Sequence, residues 1–163
     1  MAETTAIEWC DSTMNPVIGC TKVGPPCLNC YAAVSTPARA MKIELGPGKP
    51  RHRTSAATWK QPLIWERKHE KFFSQNGRRR RVFCASLADV FDNEWDPQWR
   101  ADLFDLIKHT PHLLWMLLTK RIGNAKAMLP ADWETIVAGG ERCRAGEHLQ
   151  CAYRRQLQPG RDC

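Results

Sequence analysis

Val82-Phe83-Cys84-Ala85-Ser86-Leu87 is an almost unbroken apolar run, and it leads into Ala88-Asp89-Val90-Phe91-Asp92. A strand with one wet face alternates apolar and polar residues. A strand covered on both faces does not, and that is the habit of parallel sheets. Downstream, Leu113-Leu114-Trp115-Met116-Leu117-Leu118 repeats the pattern and ends in Thr119-Lys120-Arg121. Between the two runs, Asp96-Pro97 supplies a helix N-cap followed by a proline at the first helical position. Trp99, Leu103, Leu106 and Ile107 then fall at i, i+4, i+7 and i+8, one face of a helix, and Thr110-Pro111 stops it. Strand, helix, strand in that order predicts an α/β fold with parallel strands joined by right-handed crossovers. A short helix at Asn124–Met128, stopped by Pro130, continues the alternation.

Upstream of the first run, Gly77 reads as a helix-ending residue before Arg78–Arg81. Pro62 reads as the opening of that helix, with Ile64, Trp65, Lys68, Phe72 and Phe73 along one side. The stretch Leu45–Lys60 reads as a loop, and Tyr31–Leu45 as a helix that starts after Pro37. Nearer the N-terminus, Val17-Ile18 is expected to end a first strand after the turn at Asn15-Pro16. Trp9 is expected beneath the loop that follows, and Cys10 as a buried filler.

That loop is Cys20-Thr21-Lys22-Val23-Gly24-Pro25-Pro26-Cys27-Leu28-Asn29-Cys30-Tyr31, a C-x6-C-x2-C spacing. Gly24, Pro25 and Pro26 bend the chain so that Cys20 can return to the pair Cys27 and Cys30. Structural zinc sites use four protein ligands, whereas a reactive centre keeps a position open. Three thiolates with a vacant fourth corner suit a [4Fe–4S] cluster whose remaining iron binds a small molecule, and they disfavour calcium or magnesium. Zinc with a distant fourth ligand is the alternative. Cys143, His148 and Cys151 also carry ligand atoms, in a spacing that matches no metal motif.

Hydrophobic residues make up 43% of the 163 and charged ones 25%, the balance of a soluble globular domain. The acidic start Met-Ala-Glu-Thr-Thr-Ala-Ile-Glu-Trp has no apolar core of a secretion signal, and no stretch is long enough to span a membrane. A cytoplasmic location is expected, where clustered cysteines serve metals or catalysis rather than disulfides. The net charge is +7, and residues 49–81 hold eleven Lys/Arg against two acids. That block is a candidate for nucleic-acid phosphate contact, or equally a solvated face. The domain is expected over 1–141, with 142–163 as an irregular polar tail.

Several of these motifs occur together elsewhere. Thr5-Ala6-Ile7-Glu8-Trp9, Asn15-Pro16, Gly19-Cys20, Cys27 and Cys30-Tyr31-Ala32 are followed by Val82-Phe83, Ser86-Leu87-Ala88-Asp89-Val90-Phe91 and Leu117-Leu118-Thr119-Lys120-Arg121. In this order they resemble a phage and prophage family of uncharacterised proteins with a three-cysteine motif, the phage gp thirty-seven/gp sixty-eight type. That family looks radical S-adenosylmethionine (SAM)-like. The resemblance implies a partial (β/α) barrel and a [4Fe–4S] cluster on Cys20, Cys27 and Cys30 that binds SAM. It brings no defined substrate, which would be a small molecule or nucleic acid, and it implies a reductant for the cluster. The first cysteine gap is longer here than in usual radical-SAM loops. Asn29 also stands where an aromatic usually precedes the last cysteine.

Ser86, Asp89, Thr119, Lys120 and Arg121 follow the ends of strands and, with Tyr31, are the candidate SAM-binding residues, because parallel barrels work at the C-terminal ends of their strands. The motif pattern runs out near Trp133, and Gly139-Gly140-Glu141 is similar to a segment that family members carry much further along. A barrel incomplete at the C-terminus is therefore expected, from a truncated or rearranged chain. The leading expectation is a radical-SAM-like iron–sulfur protein, active or degenerate. The alternative is a zinc-binding module that contacts nucleic acid without catalysis.

Overall fold

The computed structural model describes residues 4–28, 30, 32, 45–130, 133 and 149–150. Its centre is strand β4 (Arg80–Cys84), the run from which the sequence reading started. It lies between β1 (Ser12–Met14) and β5 (Leu113–Leu117), parallel to both, with Val82 opposite Ser12 on one side and Trp115 on the other. A two-residue strand, β6 (Leu149–Gln150), continues the sheet in parallel beyond β5, giving the order β1-β4-β5-β6. A separate two-stranded antiparallel sheet joins β2 (Val17–Ile18) to β3 (His52–Arg53). Four α-helices are described: α1 (Ala56–Arg67), α2 (His69–Asn76), α3 (Pro97–Lys108) and α4 (Ile122–Met128). None is long and apolar enough to cross a membrane.

The missing alternation in the two strands has its explanation in packing on both faces. Val82, Cys84, Leu113, Trp115 and Leu117 join the main core with Leu103, Phe104 and Ile107 of α3 and Trp65 of α1. Phe83 and Met116 point the other way, into a smaller cluster with Cys10. Helix α3 begins where the sequence indicated: the Asp96 carboxylate accepts the Gln98 N–H at 2.8 Å and Pro97 follows it. Its stripe of Leu103, Leu106 and Ile107 is buried, with Trp99 partly so. The crossover from β4 through α3 to β5 is parallel, as expected.

Four details differ from the sequence reading. The first strand of the main sheet is Ser12–Met14, while Val17-Ile18 turns away to pair with His52-Arg53. Ser12, Thr13 and Met14 are all buried, yet two of the three are polar, so no apolar run announced the strand. Helix α1 starts at Ala56, with Pro62 inside it. The cost of the missing N–H is met by packing: Trp65 is buried in the core, and the Arg53 guanidinium lies 4.1 Å from the Trp59 ring centre. The single helix expected up to Gly77 is broken at Lys68, although Gly77 does end α2 in the left-handed conformation, φ +66°. Trp9 packs on Phe83, ring centres 4.6 Å apart, rather than beneath the cysteine loop. The expected helix after Cys30 lies outside the described residues apart from Ala32 and Leu45, and so does the tail from 142 apart from β6.

Candidate functional site

The three parallel strands β1, β4 and β5 end side by side, and each is followed by polar residues. After β1 comes Asn15. Its side-chain carbonyl accepts the Leu87 N–H at 3.0 Å, and its amide donates to the Ser86 hydroxyl at 3.0 Å. After β4 the chain turns sharply at Ala85, a buried residue at φ +60°. A non-glycine residue at positive φ is uncommon and is kept where surrounding structure imposes it. Here the Ala85 N–H is tied to Met14 O at 2.9 Å, which steers Ser86–Asp89 across the end of the sheet.

Asp89 is buried and its carboxylate is fully engaged. One oxygen accepts the Thr119 hydroxyl at 2.8 Å and the Phe91 N–H at 3.1 Å. The other accepts the Lys120 N–H at 3.0 Å and the Arg121 guanidinium at 3.2 Å. Thr119 in turn accepts the Arg121 N–H at 2.8 Å through the same hydroxyl. Thr119-Lys120-Arg121 is thus a turn organised by Asp89, and Asp89 positions rather than presents a free carboxylate.

Arg121 carries the connection to the cysteine loop. Its guanidinium donates to Thr21 O at 2.6 Å and to the Cys20 sulfur at 3.4 Å. Burial pushes the Cys20 thiol up from its ordinary range, and the Arg121 hydrogen bond and charge oppose that shift. Asp89 and Asp92 add to the upward shift, so the net effect favours the thiol, and Arg121 only partly offsets the cost of forming the thiolate that a metal would bind.

A second arginine braces the same loop. Arg51 is buried, with its guanidinium 3.0 Å and 2.8 Å from the Asp92 carboxylate and 2.6 Å from the Thr21 hydroxyl. Asp92 is also 3.7 Å from Arg121, so Arg51, Asp92, Arg121 and Asp89 form one chain of alternating charge beneath Cys20 and Thr21. Glu94 closes the rim, accepting from Thr21 and from the Gly48 N–H. Gly19 makes the close approach possible. It sits at φ +116°, and a Cβ there would come 3.2 Å from Arg51 Cδ.

Both ends of the cysteine loop lie against the small apolar cluster that contains Leu87. The Gly19 N–H bonds Leu87 O at 3.1 Å, and Cys30 packs against the cluster of Ile18, Ala32 and Leu87. Cys27 is buried at the end of a short 3-10 turn, Pro25–Cys27, closed by its own N–H to Gly24 O at 2.9 Å. All three cysteines are free thiols, as are the buried Cys10 and Cys84. Among the described residues, the group whose three metal-type ligand atoms lie within 4.8 Å of one another is not these thiols but Glu66, His69 and His112. Tyr31 lies outside the described residues.

The candidates Cys20, Ser86, Asp89, Thr119, Lys120 and Arg121 therefore gather at the C-terminal ends of the strands. Sequence reasoning missed Arg51, Asp92 and Asn15. Arg51 was hidden inside the basic block of residues 49–81, much of which serves the fold. Arg53 pairs with Asp102, Arg78 and Arg81 with Asp11, and Arg80 lies 4.3 Å from the Phe72 ring centre.

A family model described as "Protein of unknown function (DUF5131)" matches residues 4–157. The chain belongs to this family. The matched DUF5131 region takes in the cysteine loop and all three strand ends, and it runs well past Trp133, where the motif reading stopped. Neither a search of curated proteins nor one of solved structures returned a match. The family description carries no activity, so the functional reading rests on the chemistry of the site.

Proposed function

We propose that this DUF5131 chain is a radical-SAM-like iron–sulfur protein built on part of a (β/α) barrel. Cys20, Cys27 and Cys30 would hold a [4Fe–4S] cluster. The observation that supports the reading is the Arg121 bridge. It joins the first cysteine to the ends of β4 and β5, the face on which parallel α/β folds do their chemistry. The donor set fits the group: three unpaired thiols on one short loop, a soft-ligand set suited to iron–sulfur clusters, with a guanidinium beside one sulfur. When bound, such a cluster supplies the electron for reductive cleavage of SAM.

The residues of the chain have distinct tasks in this reading. Arg121 holds Cys20 in place and offsets thiolate charge. Asp89 and Thr119 fix Arg121, and Arg51 with Asp92 fixes Thr21 and the loop entrance. Ser86 and Asn15 set the β4 exit from which Leu87 anchors the loop. The packing of Ile18, Ala32 and Leu87 against Cys30 gives that side of the site an apolar wall.

The second reading, a zinc-binding module that contacts nucleic acid, is favoured by the exposed cations Lys60, Arg67, Lys68 and Lys71 on and between α1 and α2. Anaerobic reconstitution followed by reduction with SAM present separates the two. We expect SAM cleavage that disappears in Cys27→Ser. A colourless protein that takes up zinc on the loop thiols, leaves SAM intact and retards nucleic acid on a gel would favour the second reading.

A further inference from the structure

We infer that Glu66, His69 and His112 form a binding site for a divalent ion of the zinc type, at the opposite end of the sheet from the cysteine loop. Glu66 stands in the last turn of α1, and the break at Lys68 lets His69 open α2 just beyond it. His112 immediately precedes β5, so it lies at the N-terminal edge of the sheet, whereas Thr119–Arg121 follow the other edge. One ligand atom from each of the three residues falls within 4.8 Å of the others.

Two details prepare these groups for a metal. The His69 Nδ1 faces Glu66 O at 2.8 Å. A carbonyl only accepts, so Nδ1 carries the hydrogen and the neutral ring keeps its lone pair on Nε2. A ring N–H fixed on a carbonyl is the usual support of a metal-ligating histidine. The Glu66 carboxylate is fixed as well: it accepts the His112 backbone N–H at 3.2 Å and touches the His112 ring nitrogen. The two imidazoles stack, centres 3.7 Å apart and 12° from parallel, so they share one edge of the cluster.

The donor set selects the ion. Two imidazoles and a carboxylate suit zinc and its neighbours in the first transition row, and three protein ligands leave a fourth position for water or a ligand. Bonds of about 2.0–2.2 Å put neighbouring donors roughly 3–3.6 Å apart. The Glu66–His112 contact is closer than that and must open to admit an ion, while the widest separation must close. Both need the His112 ring, whose side chain is 51% exposed, to turn from its contacts with Glu66 and His69. The site shares no residue with the proposed cluster loop and does not depend on it.

The test uses the full chain carrying Cys20→Ser, Cys27→Ser and Cys30→Ser together, titrated calorimetrically with zinc ion alone. We expect uptake of one zinc per chain, with nitrogen and oxygen neighbours in X-ray absorption. We expect that uptake to be lost in His112→Ala and in His69→Ala. The second variant is decisive, because it leaves the Glu66–His112 pair intact and an unchanged circular dichroism spectrum is expected. Absence of saturable uptake, uptake unaffected by His69→Ala, or a sulfur shell from Cys143 and Cys151 would each overturn the inference.

Discussion

Arg121 holds three partners at once: Asp89, Thr21 and Cys20. Its side chain is 8% exposed and that of Asp89 6%, so neither charge is well hydrated. Truncating one member of a buried pair strands the other. Arg121→Met should therefore cost about 3 kcal/mol in denaturant unfolding, and it should release Cys20 to faster alkylation as the loop detaches. Asp11 shows a milder version at the start of β1. Burial alone would raise its pKa, but the Arg78 hydrogen bonds and the Arg81 N–H outweigh this and hold it below the ordinary 3.8. A carboxyl with a depressed folded-state pKa stabilises the fold above its unfolded value and loses that contribution as pH falls through the folded one. Asp11→Asn should therefore lower stability at neutral pH by at most about 1 kcal/mol, since Arg78 is 41% exposed. It should also flatten the decline in stability below about pH 4, read from urea unfolding across pH. The Asp89 role was half legible in the sequence. Its place after a buried strand pointed to the working face, but only the geometry shows its oxygens filled by Thr119, Phe91, Lys120 and Arg121.

At the scale of elements, what could be read were the pieces whose local and tertiary preferences agree. Helix α3 has its cap at Asp96, its proline at the first position and its apolar stripe in register, and it forms where those signals place it. Leu103, fully buried on that stripe, should cost about 2–5 kcal/mol when cut to Ala, measured by thermal or denaturant unfolding. The exposed Lys108→Ala in the same helix should change little. β1 was illegible because its buried Ser12 and Thr13 carry no hydrophobic signal. They are held by pairing to Val82 and Phe83, partners about seventy residues away. Helix α1 was read as starting too late because Pro62 looks like a beginning. Only the burial of Trp65 and the Arg53–Trp59 contact show why the chain accepts a proline inside. The Glu66, His69 and His112 grouping was invisible for a related reason: it needs the helix break at Lys68 and the arrival of β5 from the far side of α3.

For the whole molecule, the parallel pairing of β1, β4 and β5 makes the strand ends that lead into Asn15, Asp89 and Thr119 emerge together. The main core lies on one face, under α1 and α3, and a smaller cluster of Cys10, Phe83 and Met116 lies on the other. The cysteine loop is clamped over the C-terminal edge by Gly19, Arg51 and Arg121, while the Glu66, His69 and His112 cluster occupies the opposite edge. The central claim is that this clamped loop carries an iron–sulfur cluster, and iron and acid-labile sulfide analysis of anaerobically reconstituted protein tests it most directly. The account predicts a brown protein with iron and sulfide in equal amounts, retained by Cys84→Ser and lost in each of Cys20→Ser, Cys27→Ser and Cys30→Ser. A colourless wild-type protein, or iron and sulfide that survive removal of all three loop thiols, would contradict it.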